Sequence, residues 1–155
     1  MLARISTRLA CTESELWQKI IEPRSLQFVA SPILSFVPVE TRVLDGEWQV
    51  GRAYPLKLYF LKFIPLGRHI IQLAKIDRDH NTISSRESGL LAPVWNHNIF
   101  FQEVALGLVS YTDEIEIRAG WLTLFIWMFA HVFYRHRQRR WKVLLQKKKP
   151  TSTIG

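Results

Sequence analysis

Apolar residues recur at two different periods along this 155-residue chain, and the switches between them mark out its elements. Near the start, Ile5, Thr7, Leu9 and Cys11 alternate with Arg4, Ser6, Arg8 and Ala10, as in a half-buried strand. Thr12 and Glu15 then stand at the spacing of a capping box. Leu16, Trp17, Ile20 and Ile21 follow at helical spacing until Pro23, which predicts one short helix. Residues 24–30 allow a second short helix before Pro32. From residue 34 to 118 the chain is rich in Val, Ile, Phe, Tyr and Trp, with turn signals at 45–46 (DG), 65–67 (PLG), 77–81 (DRDHN) and 105–107 (ALG). That pattern predicts about six antiparallel strands, six to seven with the first. After Gly120 nothing breaks a helix until Pro150. Strand, one or two short helices, strand meander and one long terminal helix make an α+β domain.

The terminal helix contains FIWMFAHVFYRHRQRRW (125–141), which passes from apolar residues into cations with no acid between. Its apolar part, 121–134, is too short for a membrane span of about 20 apolar residues, so no transmembrane segment is predicted. On a helical wheel Leu122, Phe125, Ile126, Phe129, Ala130, Val132, Phe133, Val143 and Leu144 share one face, while His131, Arg135, Gln138, Arg139 and Lys142 lie opposite. An apolar stripe running on through the basic half suits a helix lying along a sheet. His136, Arg137 and Arg140 fall on or beside that stripe, either snorkelling at its edge or paired with buried acids. Leu124, Trp127, Met128 and Leu145 fall outside it. Loop cover is the expectation for them, ahead of a dimer contact or a membrane-surface contact.

The net charge of +8 suggests nucleic acid until it is located. Residues 1–134 hold 13 Lys or Arg against 13 Asp or Glu, so the excess belongs to residues 135–149 alone. A neutral body with no exposed basic and aromatic strand face argues against nucleic-acid binding. With 48% hydrophobic residues the chain has the apolar content for a core. A single cysteine, Cys11, forms no intramolecular disulfide, and no Cys/His spacing matches a metal site, so no metal is expected and a reducing, cytoplasmic setting fits. Arg4 and Arg8 interrupt any apolar leader.

Strand parity gives the most specific chemistry. Trp95, His97, Ile99 and Phe101 share one face of a strand, and Val109, Tyr111, Asp113, Ile115 and Ile117 one face of the next. A short turn around Ala105 sets Phe101 opposite Val109, Ile99 opposite Tyr111 and His97 opposite Asp113. An imidazole beside a carboxylate in an apolar wall can be held charged or locked in one tautomer. Such a pair can serve acid–base chemistry, orient a ligand, or simply bridge two strands, and the bridge is favoured. Tyr111 adds a donor. Glu87 shares parity with Ile83 and Ser85 and is a candidate inward acid. His69, next to Arg68, reads as a rim residue, and His80 as turn surface. Trp48 and Gly51 read as a packing anchor and a tight backbone approach. Ser84, Ser85 and Ser88 lack a nucleophile elbow, and no phosphate-cradling glycine pattern occurs.

This order of elements, with Trp48 and Gly51 (WxxG), PLGRHII (65–71), KIDRDHNTISSRESG (75–89), WNH (95–97), YTDEIEIRAG (111–120) and FYRHRQRRW (133–141), resembles the START-like helix-grip superfamily, also called SRPBCC. It is most similar to uncharacterised bacterial members grouped with polyketide cyclases. The resemblance spans residues 2–146. It implies one helix-grip domain over 1–146, a curved antiparallel sheet gripping the terminal helix around a cavity for a hydrophobic molecule, and a basic flexible tail over 147–155. It implies no particular reaction and no cofactor.

Two functions follow from the resemblance and the strand pattern together. In the first, Leu56, Leu58, Phe60, Ile71, Ile99, Phe101, Ile115, Phe129 and Val132 line a cavity for a lipid-like or aromatic molecule. Its polar end is then oriented by His97, Asp113 and Tyr111, with Glu87, Trp95, His136 and Arg140 also placed at the site. In the second, a cyclase or dehydratase-type enzyme uses the His97/Asp113 pair, with Tyr111, for proton transfer. The expected partner is a small hydrophobic molecule, with weak membrane-surface contact allowed, and the protein is expected as a monomer or homodimer.

Overall fold

The computed structural model describes residues 1–146, and the expected tail at 147–155 lies outside the described residues. The chain runs β1 (Leu2–Leu9), α1 (Glu13–Ile20), α2 (Pro23–Ala30), β2 (Leu34–Pro38), β3 (Ala53–Phe60), β4 (Ile64–Asp77), β5 (Thr82–Gly89), β6 (Val94–Ala105), β7 (Leu108–Arg118), a 3-10 turn and α3 (Thr123–Gln146). This is an α+β helix-grip fold. A curved seven-stranded antiparallel sheet, in the order β1-β7-β6-β5-β4-β3-β2, carries the long helix against its inner face. First and last strands are neighbours, so α3 leaves β7 and crosses back over β7 and β1.

Local chemistry explains the element starts. At α1 the Thr12 hydroxyl accepts from the Glu15 backbone N–H at 3.2 Å, and the Glu15 carboxylate accepts from that of Thr12 at 2.8 Å, so the predicted capping box is present. Pro23 opens α2, where its missing N–H would have no partner in any case. β1 alternates as its sequence predicts, with Ala3, Ile5 and Leu9 buried.

Two turns and one register differ from the sequence reading. The β3–β4 connection lies at residues 61–63, where Leu61 and Lys62 take positive φ, and not at 65–67. Gly67 pairs with Leu58 inside the ladder, and the pairing shifts so that Leu66 is the extra residue. The β6–β7 turn is formed by Leu106 and Gly107, the latter at φ +68°, one residue beyond Ala105. The register therefore slides by two. Phe101 pairs with Tyr111, Ile99 with Asp113 and His97 with Ile115. A slide of two keeps every side chain on its face.

The phase of α3 also needs correcting. Its buried positions are Ala130, Phe133, Tyr134, Arg137, Gln138 and Trp141, at spacings of three and four. Val132 and Phe125, predicted inward, are 62% and 60% exposed, and Val143 is exposed too, whereas Gln138, predicted outward, is buried. Loops do not cover the outer apolar residues Leu124 and Met128, which are exposed. Trp127 is half-buried and donates its indole N–H to the Leu2 carbonyl at 2.8 Å. Apolar side chains on both sides of this helix drew the predicted stripe away from the true one. Among the described residues, no helix is long and apolar enough to cross a membrane.

Candidate functional site

Between the sheet and α3 lies a cavity of about 280 Å³. It sits over β3 to β6, because α3 rests directly on β7 and β1 and fills that end. Leu58, Phe60, Ile71, Ile99 and Phe129 line it, as placed from the sequence, and Leu34, Phe36, Leu73, Ile83 and Ile126 join them. Ile20 of α1 and Leu26 of α2 close one side, and Trp48 packs its ring edge against Tyr54 at 4.7 Å. Trp48 is thus an anchor, but an added Cβ at Gly51 meets nothing within 4 Å. That glycine answers to its φ of +81°, not to a tight approach.

Two imidazole–carboxylate pairs stand on the inner face of the sheet, and three of their four members, His69, Glu87 and His97, line the cavity. His97 Nε2 lies 2.8 Å from Asp113 Oδ1 across the slid β6–β7 ladder, a diagonal contact in place of the expected direct one. The Tyr111 hydroxyl donates to the same oxygen at 3.0 Å. Gln138 of α3 donates to Oδ2 at 2.9 Å and, through the same nitrogen, to the Ile5 carbonyl at 2.8 Å. Asp113 is wholly buried. Burial pushes its carboxyl up, but the His97 hydrogen bond and charge, the Arg137 charge and Gln138 outweigh that and hold it below the usual range. Burial and the neighbouring Asp113 charge push the Tyr111 phenol well up, so it remains a donor.

The second pair joins β4 to β5. His69 Nε2 stands 2.9 Å from Glu87 Oε2, and the Ser85 hydroxyl donates to Glu87 Oε1 at 2.6 Å. Here too burial raises the carboxyl, and the His69 hydrogen bond and charge, the His97 charge and Ser85 bring it below its ordinary value. His69 is buried, not a rim residue. It shares odd parity with Ile71 and Leu73, both inward, and that parity was the signal that could have found it. Gly89 lines the same corner, where an added Cβ would stand 2.8 Å from His69 Nδ1.

Trp95, His97 and Glu87 line the cavity, and the Trp95 indole donates to the Tyr134 hydroxyl at 3.1 Å. Other expected site residues do not line it. Tyr111, Asp113 and Ile115 lie on β7, beneath α3. Phe101 packs edge-on against Trp17 of α1 at 5.0 Å, and Leu56 is buried in the core. Val132 faces solvent. His136 is spent on the Ser31 carbonyl at 2.8 Å, and Arg140 lies over the Phe28 ring and donates to the Phe28 carbonyl, so both tie α3 to α2 and the residues that follow it. The sequence reading left out Ser85, Tyr134 and Trp141, and gave Arg137 no place at the site. All four line the cavity. His80 is turn surface, as expected, hydrogen-bonded to Asp77.

Over residues 7–144 the sequence matches the family described as Domain of unknown function (DUF8410). The chain belongs to that family. No curated protein matches the sequence. Among solved structures, this DUF8410 chain is similar to protein CV1439 from Chromobacterium violaceum, with a TM-score of 0.73 and 11% identity over 93% of this chain and 96% of that one. It is similar to Ara h 8.0201, with a TM-score of 0.70 and 10% identity over 96% and 99%. It is also similar to DynU16 of the dynemicin biosynthetic locus, with a TM-score of 0.63 and 12% identity over 96% of this chain and 48% of that one. At such identities the likeness is one of fold. The DUF8410 chain shares with these proteins a sheet wrapped round a terminal helix.

Proposed function

We propose that this protein binds a small, largely apolar molecule, lipid-like or aromatic, in the cavity between the sheet and α3. The observation that carries this reading is a hollow of about 280 Å³, walled mostly by aliphatic and aromatic side chains, on which a few polar groups converge. A pocket of this kind takes an apolar body and fixes its orientation through its polar end. Burying the guest's apolar surface drives association, while the His69/Glu87 and His97/Asp113 pairs, already hydrogen-bonded, need little further ordering. Native mass spectrometry of the purified protein tests it. A co-purifying small molecule, released on denaturation, is expected. A ligand-free protein that takes up no apolar probe would end the reading.

A second reading, turnover of the guest by acid–base chemistry, has one observation in its favour. Asp113 holds His97 through Nε2, and His97 Nδ1 has no hydrogen-bond partner among the described residues. An imidazole oriented by a carboxylate, with its other nitrogen open to the guest, is the arrangement a general base needs. DynU16, whose fold this chain resembles, belongs to a biosynthetic locus, which points the same way. Asp113→Asn separates the two readings, since binding falls only modestly whereas turnover collapses. We place the protein in the cytoplasm, and any membrane-surface contact on the exposed apolar row of Leu124, Phe125 and Met128.

A further inference from the structure

We infer that the guest carries an oxyanion, in the simplest case a carboxylate, and that Arg137 of α3 receives it. This deepens the proposed ligand-binding function and rests on it.

Arg137 is only 6% exposed, lines the cavity, and makes neither an ion pair nor a hydrogen bond with any described residue. Its Nε is fully buried without a partner among the described residues. Its guanidinium lies over the Tyr134 ring at 4.8 Å and the Phe133 ring at 5.9 Å, which holds the cation in place but accepts none of its five N–H donors. A buried, unpaired guanidinium is costly, and such charges are kept where something pairs with them. Asp113 and Glu87 lie near enough to favour the Arg137 charge, but neither hydrogen-bonds to it: Glu87 is held by His69 and Ser85, and Asp113 by His97, Tyr111 and Gln138. One helical turn on, Trp141 also lines the cavity, and its indole N–H is a second buried donor without a partner among the described residues. Two unmatched donors one turn apart, one of them charged, call for an acceptor from outside the chain. Arg68, exposed where it borders the cavity and in no ion pair among the described residues, adds positive potential along the way in. Because the remaining wall is mostly aliphatic and aromatic, free inorganic anions fit poorly and an amphipathic monoanion fits well. A planar carboxylate matches the guanidinium fork.

The test compares decanoate with decan-1-ol, which share a chain and differ at the head, by calorimetry at neutral pH. Neutral 1-aminoanthracene fluorescence reports the cavity itself. Wild type is expected to hold decanoate at least about tenfold more tightly than decan-1-ol. In Arg137→Met that ratio should collapse to within about twofold, and Arg137→Lys, which keeps a charge without the fork, should fall between. Trp141→Phe, which removes only the N–H, should reduce the ratio by a few fold and serves if Arg137→Met does not fold. A ratio near one in wild type, or an unchanged ratio in the variants, would overturn the oxyanion assignment while 1-aminoanthracene binding leaves the cavity reading standing. Failure of wild type to bind any of the three compounds removes both.

Discussion

The two imidazole–carboxylate pairs on the inner face of the sheet look alike and stand in different surroundings. Both join neighbouring strands diagonally, at 2.8 and 2.9 Å. In the His97/Asp113 pair the carboxylate lies under α3, away from the cavity, with donors from β6, β7 and α3 converging on it. In the His69/Glu87 pair both members line the cavity, and Ser85 beside them does too. The contrast teaches that position relative to α3, not residue type, decides which pair is packed beneath the helix and which one faces the cavity.

Removing the brace should have the largest effect. Asp113→Ala leaves His97, Tyr111 and Gln138 facing a void, and is expected to lower stability by about 3–5 kcal/mol in urea unfolding. A loss under about 1 kcal/mol would mean that the network is not a brace. Glu87→Gln keeps the shape and should lower stability by about 1–2 kcal/mol while changing 1-aminoanthracene affinity by more than Asp113→Asn does. The reverse order of affinity changes would dissolve the distinction between the pairs. Gly89→Ala drives a methyl to 2.8 Å from His69 Nδ1 and 3.4 Å from the Arg68 carbonyl. Since Glu87 pins that ring, a cost of about 1–3 kcal/mol is expected, with a shifted His69 ring resonance in NMR spectra.

Acid should expose both pairs together. Asp113 and Glu87 are depressed below their ordinary values of 3.8 and 4.5, despite burial, by their imidazole partners. A depressed carboxylate contributes its stability in full above its ordinary pKa, and that contribution is lost as the pH falls through the folded value. Stability should therefore hold from neutrality down to about pH 5 and then fall, more gently in Asp113→Asn. The limb should persist in part in that variant. The half-buried carboxylates Asp77, held down by Lys75, and Glu116, held down by Asn96 and Arg118, titrate there too. The smallest effect lies far from either pair. Burial, with the Glu15 and Glu103 charges, pushes the Cys11 thiol up to about 11, so it should resist a disulfide reagent at neutral pH until the protein unfolds. Fast labelling of the folded protein would show that the connection between β1 and α1 opens locally.

The elements were legible in the sequence because their signals are local: the Thr12/Glu15 box, the alternation of β1, and the unbroken run after Gly120. The His97/Asp113 contact was legible although the register was off, because parity survives a slide of two. What failed was non-local. The pattern could not show that α3 covers β7, which removes Tyr111, Asp113 and Ile115 from the cavity and leaves the ground to β3 through β6. Nor could it phase a helix carrying Phe125 and Val132 on an exposed side, so Trp141 was not placed inward, and Arg137, set on or beside the stripe, could not be told from a snorkelling edge residue.

The most direct measurement of the central claim is a fluorescence titration of 1-aminoanthracene into wild type and Leu58→Trp side by side. Leu58 lines the hollow and is only half-buried, so a larger ring there should fill the space at a cost of about 1–3 kcal/mol without unfolding the sheet. Saturable binding to wild type and at least about tenfold weaker binding to the filled variant are expected, with unchanged circular dichroism. Equal binding by both proteins, or none by wild type, would contradict that claim.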